Sequence, residues 1–510
     1  MRQSPARKSS NTAVTTSLRD PNGHVCLVAD RVIRIVKPTG LNDLKTFLDS
    51  PACAEFLERQ KLVNTRFLDA NAVAKVLEHE EVRRVYEQTP GAAIFEHERV
   101  AFLSFPYEWP AEMLHAAAEL TIEMAQQLLA DGLGMKDASP YNVLFKGPNP
   151  VFVDLLSFEP RVAGDPTWLP FAQFVRTFML PLLVNKHFGI SLAQILTTHR
   201  DGLEPEEVFS LLSPLQKFRR AFLTLVSIPV WLAARQGAED AKIYQRRQLN
   251  DPAKARFILK RVLESARRKL AATAPRARRT SAWSDYMDHN NYSQDYFPQK
   301  QRFVSQVLCE QQPRRVLDVG CNTGYFSAIA ARSGASVVAI DYDPVVVGQV
   351  WRQARAEQLD ILPLVVNLAR PTPSIGWRNA ECASFLDRAR GRFEAVLMLG
   401  VIHHLLVSER IPLAEIIKLT AELATDALVI EFVAPDDPMF RRIARGRDHL
   451  FSDLTKESFE ATAVQYFDIV RCERLDQTNR WLYLMRKISN PRSEISNPKE
   501  TLIECFEMQQ

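Results

Sequence analysis

The sequence predicts two parts: an α+β N-terminal half, then a doubly wound, mostly parallel seven-stranded α/β sheet in the C-terminal half. Three observations carry this reading. From residue 315 onward, short apolar runs alternate with segments of helical period. The last two apolar runs, "FDIVRCERL" and "RWLYLMRK", are joined by the turn "DQTN" and read as an antiparallel hairpin. Between the halves, residues 254–279 hold ten basic residues against the single acid Glu264, which marks a terminal helix running into a linker.

The elements of the second half follow in order. Residues 315–319 are a short buried strand, and "YFSAIAARSGA" is a helix with Phe326, Ile329 and Ala330 on one face, stopped at Gly334. "SVVAID" is the next strand, and Pro344 opens a helix to about residue 359. "LPLVVNL" and "EAVLMLG" are strands, residues 411–423 an apolar-periodic helix, and "ALVIEFV" a further strand before the hairpin. The boundaries expected are a disordered basic tail (1–20), an N-terminal domain (21–253), a basic helix and linker (254–281), a second domain (282–488) and a C-terminal tail (489–510).

Composition excludes several classes. With 46% hydrophobic and 24% charged residues the chain is ordinary globular protein, and a net charge of +4 over 510 residues does not argue for a nucleic-acid partner. The seven cysteines are scattered, with no CxxC pair and no metal-ligand spacing, as in reduced cytoplasmic proteins. The longest apolar run, "FLTLVSIPVWLAA", has 13 residues and contains Pro229. It reads as a buried helix in two pieces, too short to span a bilayer.

In a doubly wound sheet, ligands bind beyond the carboxyl ends of the strands where strand order reverses. The first strand there leads into "DVGCNTG", and the second ends at Asp341, 17 residues after Gly324. Gly320 and Gly324 permit a tight turn, and Asp341 is placed to accept from ribose hydroxyls. A dinucleotide needs GxGxxG for its pyrophosphate, but the three positions here are Gly320, Asn322 and Tyr325. S-adenosylmethionine has no pyrophosphate, so the missing glycines count against NAD and leave this cofactor open.

"VLDVGCNTGYFS", "VVAIDYDP" and "AVLMLGVIHHLL" together resemble the successive motifs of class I S-adenosylmethionine-dependent methyltransferases over about residues 283–487. The resemblance implies a Rossmann-like sheet, with Asp318, Gly320, Asn322 and Gly324 lining the methionine end and Asp341 holding the ribose. It also implies Asn367 at the adenine position, where many relatives carry an acid. His403 and His404 fall where the family places substrate-side residues, as general-base candidates or as plain strand-end residues. Glu431 is the other candidate base, with a salt-bridge role as its alternative. In "AWSDYMDHNNYSQDYFPQK", Trp283, Tyr286 and Tyr292 could wall the acceptor pocket and Lys300 could meet a carboxylate, or these residues simply pack.

In the first half, "MKDASPYNVLFKGPNPVFVDLLSFEP" carries Asp137 and Asn142 in D-x-x-x-x-N spacing, and Asp154 twelve residues on. This resembles the catalytic loop and metal-binding aspartate of protein-kinase-like and aminoglycoside-phosphotransferase-like enzymes. The resemblance implies Asp137 as base and Asn142 and Asp154 as magnesium ligands if this half is active; otherwise the chain needs no metal. Met135 stands where those families have His, Leu155–Leu156 where kinases have Phe-Gly, and no glycine-rich phosphate loop precedes. "RVIRIVKP" is a candidate small-lobe strand with Lys37 as nucleotide lysine, and "RVAFLSFPYEWP" a candidate strand into a hinge.

The two halves together resemble bacterial nodulation-type methyltransferases, which implies a glycan or small-molecule hydroxyl as acceptor. The expected protein is a cytoplasmic methyltransferase with a kinase-like scaffold or acceptor-binding half and no membrane span. The competing readings are a bifunctional methyltransferase and Mg-ATP phosphotransferase, and a nucleic-acid methyltransferase docking through residues 254–279.

Overall fold

The computed structural model describes residues 19–28, 30–235, 248–276, 281 and 296–489. It falls into two compact units, one of residues 1–279 with 351–356 and 373–384, the other of 280–350, 357–372 and 385–510. Most of the two expected tails, and residues 277–280 of the expected linker, lie outside the described residues.

The first unit opens with a four-stranded antiparallel sheet of β1 (Gly23–Val28), β2 (Arg31–Val36), β3 (Thr65–Phe67) and β4 (Ala93–His97), in the order β1-β2-β4-β3. Alternation places Ile33 and Ile35 of β2 in a core with Cys26, Val28, Ile94, Val76 and Val82, and sends Arg34 to the opposite face. The helix Ala111–Leu128 follows, and then two small ladders. In these β5 (Leu133–Met135) pairs with β8 (Phe158–Pro160), and β6 (Val143–Lys146) pairs with β7 (Asn149–Phe152). Asp137 and Asn142 lie between β5 and β6, and Asp154 directly after β7. The order, an antiparallel sheet before a largely helical region, is α+β as expected.

Three details of this unit differ from expectation. The strand foreseen at 99–105 is irregular chain, because the pairing partner of β2 is the earlier run "AIFEH". The helix Pro252–Thr273 buries Ala255, Leu259, Leu263, Ala266 and Leu270 against Ala111–Leu128, while Phe257 faces solvent. The 13-residue apolar run breaks into Arg220–Phe222, a π-helical turn Leu223–Ser227 and the helix Ile228–Ala233. Only its first part is buried. Pro229 sits in the first turn of the last helix, which buries none of its residues. No helix among the described residues is long and apolar enough to cross a membrane.

The second unit is a seven-stranded sheet of β9 (Arg315–Val319), β10 (Ser336–Asp341), β11 (Ile361–Val365), β12 (Phe393–Met398), β13 (Ala424–Val433), β14 (Phe467–Arg474) and β15 (Arg480–Lys487). The strand order is β11-β10-β9-β12-β13-β15-β14. The four pairings among β9 to β13 are parallel, and β15 pairs antiparallel with β13 and β14. Val319 of β9 is level with Ile340 of β10 and Met398 of β12. Strand order therefore reverses between β9 and β12, and the crevice beyond their carboxyl ends is where such a sheet holds a ligand. The helix Tyr325–Arg332 buries Ser327, Ala328 and Ala330, not the predicted face of Phe326, Ile329 and Ala330. Small side chains let this helix lie close to β9, where Ser327 reaches Asp318.

Candidate active site

The turn after β9 is built on left-handed backbone. Gly320, Asn322 and Gly324 have φ of 68°, 49° and 80°. A Cβ on Gly320 would stand 2.3 Å from Val401 Cγ2, and one on Gly324 would stand 2.9 Å from two methyls of Val350. Asparagine tolerates this backbone region better than most side chains, which accounts for Asn322 at the middle position. Its amide N–H donates to Asp341 Oδ2 at 3.1 Å, while its own Oδ1 is buried without a hydrogen-bond partner.

Two carboxyls face this turn. Asp318 is buried and accepts the Ser327 hydroxyl at 2.6 Å. Burial pushes its carboxyl up to about 7, against the smaller opposing effects of Ser327 and the Lys300 charge. Asp341 accepts from the backbone N–H groups of Asn322 and Asp343, and burial raises it to about 6. Asn367 Oδ1 accepts from the Ala369 N–H at 2.9 Å in a local turn, which fixes the side chain and leaves the oxygen a second lone pair.

His403 and His404 lie on the short helix Ile402–Val407 after β12, with ring centroids 4.3 Å apart. His403 is buried, and neither ring nitrogen has a hydrogen-bond partner. Burial, then the neighbouring His404 and Arg480, hold it well below the usual histidine range, so it is neutral. His404 is shifted the same way, first by burial and then by Arg480.

Glu431 proves to be an anchor. It is fully buried near the end of β13 and accepts from Tyr296 Oη at 2.5 Å, Lys300 Nζ at 2.6 Å and Arg480 Nη1 at 3.0 Å. Burial alone would raise its carboxyl, but the Lys300 and Arg480 charges outweigh it and hold the group at about 2. A carboxylate so engaged is a poor proton acceptor near neutrality, which corrects its expected role as a base. Lys300 does meet a carboxylate, but an internal one. Arg480 also clasps Asp437 through two nitrogens, at 2.8 and 3.0 Å.

Tyr296, Arg480, Asp437 and Ser327 were not singled out from sequence. The one signal was Arg480, a charge at the head of the apolar run "RWLYLM". Trp283, Tyr286 and Tyr292 lie outside the described residues.

In the first unit, Arg34 Nη1 meets Asp154 Oδ1 at 2.6 Å, and Ser157 donates to Asp154 Oδ2 at 2.5 Å. Burial works to raise Asp154, but the Arg34 charge and these hydrogen bonds hold it below the usual carboxylate range. Asn142 Nδ2 donates to Ser157 at 3.2 Å, and Asp137 Oδ1 accepts from Gln173 and the Ser139 N–H. Lys37 points elsewhere, to Pro21 O at 2.9 Å.

Residues 287–477 match the family described as Methyltransferase domain. The chain carries a methyltransferase domain of the S-adenosylmethionine-dependent class. Nodulation protein NoeA of Rhizobium meliloti (strain 1021) is 28% identical over 479 residues, 93% of this chain and 96% of that one. The O-antigen chain terminator bifunctional methyltransferase/kinase WbdD of Escherichia coli is 28% identical over 144 residues, 27% of this chain and 18% of that one. Ubiquinone biosynthesis O-methyltransferase of Alkalilimnicola ehrlichii is 31% identical over 124 residues, 24% of this chain and 44% of that one. The methyltransferase thus spans less than half the length of the latter two relatives.

The residues of the turn fit the cofactor of that class. The unpartnered Asn322 Oδ1 calls for a donor, the two glycines keep the turn open to close approach, and Asp318 lacks a full counter-charge.

Two outcomes follow from these charges. Glu431→Gln leaves Lys300 and Arg480 poorly balanced inside the protein and should cost about 3–5 kcal/mol in chemical denaturation. Asp318, raised from 3.8 to about 7, favours folding fully below about 4, and that contribution is lost as pH rises toward 7. Relative to Asp318→Asn, the wild type should therefore lose roughly 1.4 kcal/mol per pH unit between pH 5 and 7 in pH-dependent melting.

Proposed function

We propose that this methyltransferase O-methylates a hydroxyl of a glycan or small molecule, with S-adenosylmethionine held by the β9 turn and Asp341. The observation that carries the reading is His403, a neutral buried imidazole with both nitrogens unengaged on the helix directly after β12. When bound, the cofactor supplies an activated methyl group on a sulfonium. Asp318, Gly320 and Gly324 receive its amino-acid end, Asn322 offers an acceptor, and Asp341 takes the ribose hydroxyls. The acceptor hydroxyl donates a hydrogen bond to the free lone pair of His403, which orients its oxygen and, weak base though it is, takes the proton as methyl transfer makes that proton strongly acidic; burial of the ring keeps competing water away. Glu431, through Lys300 and Arg480, positions the surrounding wall and takes no proton. Support for an oxygen acceptor comes also from the ubiquinone O-methyltransferase relative.

The N-terminal unit, in this reading, is a scaffold or acceptor-binding module. Magnesium needs free hard oxygen ligands, but the Asp154 carboxylate is already neutralised by a guanidinium and a hydroxyl. Asn142 and Asp154 as arranged do not fit a divalent ion, and no step is drawn through Mg-ATP. The helix Pro252–Thr273 packs its apolar face on the unit, so its charges read as a solvated face and not as a nucleic-acid contact.

Asp341→Ala should weaken S-adenosylmethionine binding at least tenfold by calorimetry, and retained affinity would sink the site assignment. His403→Gln should lower kcat about 10²-fold or more with cofactor affinity retained. Labelled methyl groups from the cofactor, offered with separated cell extracts, should enter glycan or small-molecule hydroxyls; label in RNA or on nitrogen would remove the acceptor class. Equilibrium dialysis should show no magnesium-dependent ATP binding to the wild type. Such binding, if lost in Asp154→Ala, would restore the bifunctional reading.

A further inference from the structure

Residues 211–235 expose apolar side chains more densely than the rest of the described residues. Of the 13 large apolar side chains that stand exposed among the described residues, five (Leu211, Leu215, Phe218, Ile228 and Leu232) lie within residues 211–235. Two protrude far: Leu215 is 82% and Phe218 68% exposed, on and beside the 3-10 turn Gln216–Phe218. Phe218 belongs to an aromatic cluster. The ring of Trp231 lies 5.6 Å from that of Phe218 and 6.4 Å from that of Phe209, and the Lys217 ammonium sits 3.9 Å from the Phe209 centroid.

Charge identifies the occupant. Residues 211–235 contain Lys217, Arg219, Arg220 and Arg235 and no acid. The three arginines are exposed, and none of the four cations has a carboxylate partner among the described residues. The acids at the start of the helix Pro205–Leu211 are mostly engaged elsewhere, Glu204 by Arg176 and Glu207 by His199 at 3.2 Å. Apolar side chains that protrude among unpaired cations suit a surface with an acyl interior and anionic headgroups. The helices are far too short to span, so the contact is with the membrane surface.

We propose that residues 211–235 form a docking surface for an anionic lipid membrane. Leu215 and Phe218 enter the headgroup layer, Ile228 and Leu232 widen the apolar contact, and Arg219 and Arg220 meet lipid phosphates. This surface is independent of the methyl-transfer reading.

Co-sedimentation of the full chain with vesicles of phosphatidylcholine, with and without phosphatidylglycerol, tests it. The wild type should partition onto the anionic vesicles at least tenfold more strongly than onto the neutral ones, and less at high salt. Leu215→Asp with Phe218→Asp, and separately Arg219→Glu with Arg220→Glu, should each reduce that partitioning at least tenfold. Both variants change exposed side chains, so melting and S-adenosylmethionine binding should match the wild type. Absence of binding to anionic vesicles, or variants that bind like the wild type, overturns the proposal. So does a self-associated wild type that becomes monomeric in the apolar variant without any vesicle binding, since the surface would then join two copies of the chain.

Discussion

One buried carboxylate organises the methyltransferase unit. Glu431 lies near the end of β13, Arg480 begins the antiparallel strand β15, and Tyr296 and Lys300 lie one turn apart on the helix Tyr296–Gln311. Removing a carboxylate wholly from water is costly, and only close, well-directed donors offset it. Here two elements distant in sequence supply them. The turn that carries the histidine pair rests on the same cluster, since a Cβ on Gly400 would stand 3.6 Å from Glu431 Oε2 and 3.9 Å from Lys300 Nζ. The last strands, the leading helix and the helix with His403 are thereby fixed against one charge.

The strands of this unit were legible because their physics is local. Apolar runs between turns, a proline opening a helix and a hairpin turn each declare themselves within a few residues. The cofactor turn was legible for the same reason: Gly320, Asn322 and Gly324 are residues that accept left-handed backbone. Side-chain partnership was not. Glu431 as an isolated letter is equally a base or an ion-pair member, and its nature depends on Arg480, 49 residues away, and Lys300, 131 residues away. Asn367 showed less still, because the backbone N–H that holds its oxygen belongs to a local turn the sequence does not announce.

The N-terminal unit teaches the complementary lesson. The spacing of Asp137, Asn142 and Asp154 resembles that of a phosphotransferase, and the residue that pairs with Asp154, Arg34, lies 120 positions away on β2. A strand alternates its faces, so Ile33 and Ile35 must enter the core and Arg34 must leave it. The same alternation that builds the sheet delivers a permanent cation to the aspartate. Likewise, the helix Ile228–Ala233 looks like core by composition, and only the packing around it reveals a surface.

The close approach of Gly320 to Val401 ties two events that chemistry would otherwise leave separate. Val401 lies two residues before His403, and its methyl fills the space where a side chain on Gly320 would be. One valine side chain separates the turn at Gly320 from the helix that carries His403. A shift of the helix Ile402–Val407 would therefore be felt at Gly320, and in the proposed reading an acceptor bound beside His403 would reshape the seat of the cofactor.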